Sequence, residues 1–135
     1  MKKIFFLAAM FVTGDCIAQN VPAPVKEAFA KSFPNTTVKK WDKEDGNYEA
    51  NFTANGKTMS ATFDATGNLK ETETGIKVSD LPAPVAEYVK KNYKDAAIKE
   101  ASIVERGKEK MYEAEVKGKD LLFDMQGQFL KEEKD

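Results

Sequence analysis

The sequence predicts an α+β protein built as a tandem repeat, each copy one helix followed by a four-stranded antiparallel meander, with the helices on one face of the sheet. Three observations carry this expectation. The segment "VPAPVKEAFAKSF" at Val21 returns sixty residues later as "LPAPVAEYVKKNY" at Leu81. After each of these segments the apolar spacing changes from a helical period to strict alternation. The turns that separate the alternating runs are too short to join anything but antiparallel neighbours.

Each repeat opens on a helix. An offset of sixty sets Asn20 on Asp80, Pro22 on Pro82, Pro24 on Pro84, Val25 on Val85, Phe29 on Val89 and Phe33 on Tyr93. Proline is tolerated in a first helical turn because the N–H it lacks would have no helical acceptor there. Asn20 and Asp80 are residue types that accept from the free N–H groups of such a turn, so they are expected to cap the two helices. Residues 25, 29, 33 and 85, 89, 93 recur at i, i+4, i+8, with Ala28 and Tyr88 beside them, and form one apolar stripe. The helices are expected to end near Pro34 and near Asp95.

The strands follow in the same order twice. Val38–Asp42 and Ile98–Val104 are rich enough in β-branched and aromatic residues to be first strands. In "NYEANFT" and "MYEAEV" Tyr48, Ala50 and Phe52 match Tyr112, Ala114 and Val116. A third strand sets Met59, Ala61 and Phe63 on one face, matched by Leu121 and Phe123, and last strands run over Leu69–Thr74 and Phe129–Glu133. Asp45-Gly46-Asn47, Asn55-Gly56, Arg106-Gly107 and Gly118 mark the turns, being residues that reach positive φ readily. From Tyr48 to Asp64 is sixteen residues and from Tyr112 to Asp124 twelve, so one central hairpin is longer while the ends stay in register. A linker over Glu71–Ser79 is expected to lead into the second helix.

The N-terminus stands apart. Lys2 and Lys3 precede an apolar run from Ile4 to Val12, and small residues follow up to Ala18, the pattern of a secretory signal. Residues 1–18 are therefore read as a signal peptide, with 19–74 and 75–135 as two repeats of one combined domain. The alternative is cleavage before Cys16 and lipidation of that cysteine, against which Asp15 stands where such signals carry a small neutral residue. Either way the destination is the periplasm or the exterior, with no membrane insertion once the signal is removed. A repeat of about 55 residues would bury only about 60% of its unfolded surface, which favours two repeats sharing a core.

Composition narrows the function. The chain has no histidine, and removing residues 1–18 takes away its single cysteine. No disulfide, thiol nucleophile, imidazole base or nitrogen or sulfur metal ligand then remains, and no cofactor is expected. The same cut removes Lys2, Lys3 and Asp15 and moves the net charge from −1 to −2. A chain so nearly neutral has no basic footprint for nucleic acid.

The helix opening "DLPAPV", the strand "YEAE" and the ending "FDMQGQFLKEE", with their weaker counterparts "NVPAPV", "YEAN" and "FDATGNLKE", resemble the PepSY-like, β-lactamase-inhibitor-like proteins exported by Bacteroidetes-type bacteria. The resemblance covers Asn20–Asp135. It implies a helix or helical hairpin against a four-stranded sheet in each repeat, tandem sheets side by side, and a concave sheet surface of the kind with which the inhibitor proteins grip an enzyme. Its motifs are structural punctuation and carry no catalytic residue.

Candidate binding residues then lie on the sheet face away from the helices. Alternation places Glu49, Asn51 and Thr53 there in one repeat, Glu113, Glu115 and Lys117 in the other, and Thr58, Ser60 and Thr62 on a third strand. This face is polar, Thr-rich and charged, the composition of a solvated surface more than of an interface, which concentrates Tyr, Trp, Phe and Arg. Alternation counted from Val38 puts Trp41 on that face too, where an indole between Lys39 and Lys43 would be a binding anchor. A bulge would instead turn it into the core. Asp64-x-x-Gly67 and Asp124-x-x-Gly127 read as turns, because the oxygen ligands a calcium loop needs are missing between them. Ser32, Ser60, Ser79 and Ser102 stand in no nucleophile elbow, and the chain has no glycine-rich phosphate loop.

These readings add up to a non-enzymatic exported monomer that binds a protein partner, such as an exported peptidase or hydrolase, through the uncovered sheet face. The alternatives are a periplasmic carrier or sensor of a small ligand held between helices and sheet, and a structural envelope protein.

Overall fold

The computed structural model describes residues 20–134, so the expected signal segment and Cys16 lie outside the described residues. The elements run α1 (Ala23–Ser32), β1 (Lys40–Glu44), β2 (Asn47–Ala54), β3 (Lys57–Phe63), β4 (Leu69–Ile76), a 3-10 turn (Val78–Asp80), α2 (Ala83–Asn92), β5 (Glu100–Arg106), β6 (Glu109–Val116), β7 (Lys119–Phe123) and β8 (Phe129–Lys134). Among the described residues this is an α+β fold of two helices and eight antiparallel strands. The chain divides into two compact units with the boundary between Glu73 and Thr74, inside β4. The expected linker is therefore shorter than the sequence suggests, since Glu71–Ile76 is strand and Val78–Asp80 a 3-10 turn.

Both helices start on proline, and neither uses the expected cap. Pro22 (φ −56°, ψ 145°) and Pro82 (φ −57°, ψ 143°) are themselves the N-cap residues, without a side-chain hydrogen bond. The reason lies in the second proline. Pro24 and Pro84 remove one of the N–H groups a cap would serve, and the N–H groups of Val25 and Val85 are taken by the carbonyls of Pro22 and Pro82, both at 3.0 Å. Each first turn then keeps the N–H of Ala23 or Ala83 outside these bonds, so little is left for Asn20 or Asp80 to accept. The helices end where expected, with the N–H groups of Phe33 and Tyr93 bonded to Phe29 and Val89 at 2.8 Å.

Turn chemistry fixes the hairpins. Asp45-Gly46, Asn55-Gly56 and Lys117-Gly118 all hold both residues at positive φ, the two-residue turn whose twist matches the flanking strands. In the first unit the β1–β2 and β2–β3 ladders pair five and seven residues of each strand. In the second the β5–β6 and β6–β7 ladders pair seven and five. The longer β2–β3 hairpin is thus balanced by a shorter β1–β2 hairpin. Because each change is two residues per strand, an even number, every side chain keeps its face.

The apolar stripe of each helix packs on one sheet face. In the first unit Val25 and Phe29 meet Trp41, Tyr48, Ala50, Phe52, Ala61 and Phe63. The Phe29 ring stands edge-on to Phe52 at 5.0 Å, Trp41 at 5.8 Å and Phe63 at 6.4 Å, a preferred arrangement for aromatic pairs. In the second unit Val85 and Val89 pack with Ala114, Val116, Leu121 and Phe123.

One glycine ties a strand turn to a helix start. Gly67 has φ +93°, and a Cβ there would lie 2.7 Å from the carbonyl oxygen of Pro24, whereas Gly56 at φ +74° opens onto space. Gly56→Ala is expected to cost about 1 kcal/mol of stability from backbone strain alone. Gly67→Ala carries the same strain and a backbone clash that no side chain can relieve, and is expected to cost about 1 kcal/mol more. Urea midpoints of the two variants compare them directly, and equal losses would remove the Pro24 contact from the account.

Candidate functional site

Strand register decides which residues share the face away from the helices. In the first unit Asp42, Glu49 and Thr62 lie opposite one another across β1, β2 and β3, and Lys40, Asn51 and Ser60 form the next row, with Thr53 paired to Thr58. In the second unit the rows are Ser102, Glu113 and Leu122, then Glu100, Glu115 and Asp120, with Val104 paired to Met111.

Trp41 is not on this face. It is 8% exposed in the core beside Phe29. Alternation counted from Val38 misplaces it because β1 begins only at Lys40, so the residues before it do not follow the pleat. Lys39 donates to the Thr53 hydroxyl at 2.7 Å, and the Lys43 ammonium sits over the Tyr48 ring, 5.4 Å from its centre. The three residues of "KKWDK" that suggested an anchor, Lys39, Trp41 and Lys43, therefore form no common surface.

The other expected residues divide by depth. Thr58 is exposed, and Glu49, Asn51 and Glu115 are half-buried. Ser60, Thr62 and Glu113 are recessed, at 2%, 8% and 7% exposure. Glu71 and Glu73 on β4, and Ser102 and Asp120, are buried polar residues that sequence reasoning did not single out.

The second unit differs from the first in carrying apolar side chains on the face away from its helix. Val104, Met111 and Leu122 form a cluster of their own, separate from the helix-side core. Around them Ser102 donates to Glu113 at 3.3 Å and Arg106 grips both oxygens of Glu133 at 3.1 and 3.0 Å. Burial alone would raise the Glu133 carboxyl, but hydrogen bonds and charge from Arg106 and Lys131 outweigh it and hold the group at about 2. The trio was legible in part. Alternation from Ala114 and Val116 puts Met111 opposite the helix, but only the Arg106-Gly107 turn register brings Val104 beside it.

The two Asp-x-x-Gly turns organise their own loops. One oxygen of Asp64 accepts from the N–H of Thr66, the Thr66 hydroxyl and the N–H of Asn68 at 3.0, 2.7 and 3.0 Å, and the other from the Asn68 amide at 2.9 Å. Hydrogen bonds from Thr66 and Asn68 hold this carboxyl well below the usual carboxylate range. Asp124 repeats the pattern with the N–H groups of Gln126 and Gln128. Among the described residues no three acidic, histidine or cysteine side chains come together as a metal site.

Two stretches of the sequence, residues 13–69 and 46–131, match the family described as "Putative beta-lactamase-inhibitor-like, PepSY-like". The chain belongs to this PepSY-like family. Solved structures agree in fold. A BLIP-like protein of Bacteroides fragilis is 29% identical, with 83% of this chain and 85% of that chain covered and a TM-score of 0.66. A DUF2874 family protein of Bacteroides ovatus is 26% identical over 83% of this chain and 86% of that chain, at a TM-score of 0.70. A structure from Bacteroides eggerthii described among its "putative periplasmic proteins" is 19% identical over 84% and 88%, with a TM-score of 0.72. No curated protein matches the chain by sequence. Among the described residues no helix is long and apolar enough to cross a membrane.

Proposed function

We propose that this PepSY-like chain is a non-enzymatic, exported, inhibitor-like module that holds a protein partner on the sheet face opposite its helices. The observation that carries the reading is one-sided helix packing. In each unit the helix stripe occupies one face, and the other presents half-buried polar side chains around a recessed floor. In the second unit that face also holds the apolar trio Val104, Met111 and Leu122, which is itself buried at 0–5% exposure and underlies the polar side chains rather than facing solvent. The family description and the BLIP-like neighbour support an inhibitor-like role, and the periplasmic description of the Bacteroides eggerthii protein supports export. The partner class proposed is an exported peptidase or hydrolase.

We read the two units as copies of one folding unit. Near-identical backbone angles at Pro22 and Pro82, and at Phe33 (φ −129°, ψ 69°) and Tyr93 (φ −131°, ψ 73°), support this. So does the exchange of five- and seven-residue ladders between the units.

The test is affinity capture from the periplasm of the exporting host with residues 19–135 as bait. Lysine at Ser60 or Thr62 would test folding rather than binding, because both are buried. Thr58→Lys with Glu115→Lys alters the helix-free face of each unit, at an exposed position in the first and a half-buried one in the second. This double variant is expected to lose the captured partner at least about tenfold, equivalent to about 1.4 kcal/mol. Charge reversal at the exposed helix residues Lys31 and Lys90 is expected to leave capture intact. Capture that survives the face variant and fails with the helix variant would overturn the reading.

A further inference from the structure

We propose that Glu49, opposite Asp42 on the sheet face away from α1, is a proton-operated device that makes the first unit more stable in mild acid than in mild alkali. This concerns the free chain and needs no partner. The geometry gathers negative charge. On β1, Asp42 pairs with Glu49 across the ladder and Glu44 lies two residues further along the strand. On β4, Glu71 acts on Glu49 as a third negative group. The facing β3 residues Ser60 and Thr62 carry no charge. The one nearby cation of β1, Lys40, has its ammonium 3.0 Å from Asp42, and the Asn51 amide donates to the other oxygen of Asp42 at 3.1 Å. Lys40 thus already serves Asp42, and like charges directly opposite on neighbouring strands are destabilising.

Burial pushes the Glu49 carboxyl up to about 7, against a hydrogen bond with Asn51, and the charges of Asp42, Glu71 and Glu44 push the same way. The unfolded value is 4.5, so between these limits the folded chain binds the proton more tightly than the unfolded chain. Stability is then greatest below the unfolded value, declines as pH rises, and levels off above the folded value.

The experiment uses residues 19–135 and two readouts. Carboxyl carbon NMR of Glu49 is expected to show a midpoint near 7. Asp42→Asn is expected to move that midpoint down while leaving it above the ordinary carboxylate range. Urea unfolding is expected to show a wild-type midpoint that falls from pH 5 to pH 8, and a loss of most of that fall in Glu49→Gln. If Glu49 titrates in the ordinary range, or the fall survives unchanged in Glu49→Gln, the proposal is wrong. If Glu49→Gln does not fold, the NMR midpoint of the wild-type chain decides alone.

Discussion

Phe29→Ala is expected to lower the stability of the folded chain by about 3–5 kcal/mol. The ring is 4% exposed and stands at the centre of the first unit's aromatic group, edge-on to Trp41, Phe52 and Phe63 and tilted against Phe33 at 5.3 Å. Truncation removes the transfer free energy of the ring and leaves a cavity, which four rigid aromatic neighbours cannot collapse to fill. It also removes edge-to-face contacts worth about 0.5–1.5 kcal/mol per pair beyond burial. Phe29→Leu retains much of the volume and is expected to cost less than half as much. Val89, which the sequence aligns with Phe29, loses only two methyl groups on truncation, so Val89→Ala is the milder change although Val89 is equally buried. Urea unfolding at constant slope measures all three. A Phe29→Ala loss no larger than that of Val89→Ala would refute the central place given to this ring.

Arg106→Ala is expected to cost about 1.5–3 kcal/mol at neutral pH, the range for a hydrogen-bonded charge removed from a largely buried partner. Arg106 and Glu133 meet through two parallel hydrogen bonds, with side chains only 19% and 22% exposed. Removing the guanidinium leaves the Glu133 carboxylate in the same recess with Lys131, 2.7 Å away and 53% exposed, as its remaining cation. The pH dependence gives a second signature. Glu133 is lowered from 4.5 to about 2 in the folded chain, so its contribution is complete above the unfolded value and is lost as pH falls through that window. Wild type and variant should therefore converge toward pH 2.5 and diverge above pH 5. A constant gap at every pH would mean that Arg106 acts through packing alone. This window lies below the one in which Glu49 acts, so the two groups bound the most stable range from opposite sides.

Much of the fold was legible because its signals are local. The prolines of "PAP", the four-residue apolar stripe and the Asp-Gly and Asn-Gly pairs each constrain the backbone within a few residues. The helix starts are the instructive partial failure. Asn20 and Asp80 have the chemistry of caps, but a cap needs free N–H groups, and Pro24 and Pro84 together with the carbonyls of Pro22 and Pro82 take away most of those it would serve. Trp41 fails for a related reason. Alternation predicts a face only inside a strand, and the strand began two residues later than its β-branched composition suggested.

The candidate face was legible as a list of residues and illegible as a surface. Glu49, Asn51, Ser60 and Thr62 lie on the face away from the helix in the first unit, and Glu113 and Glu115 on the corresponding face of the second. That Ser60 and Thr62 are recessed, that Arg106 reaches Glu133, and that Val104, Met111 and Leu122 gather among charged neighbours depend on strands far apart in the chain. The sequence by itself determined the order of elements, the side of the second and third strands of each unit that meets a helix, and the turns that reverse the chain, because these follow from periods and dihedral preferences that act over a few residues. The tertiary structure alone decided which side chains are buried, which carboxylates crowd one another and which find a cation, because burial and charge proximity depend on the register between strands and on what packs above them.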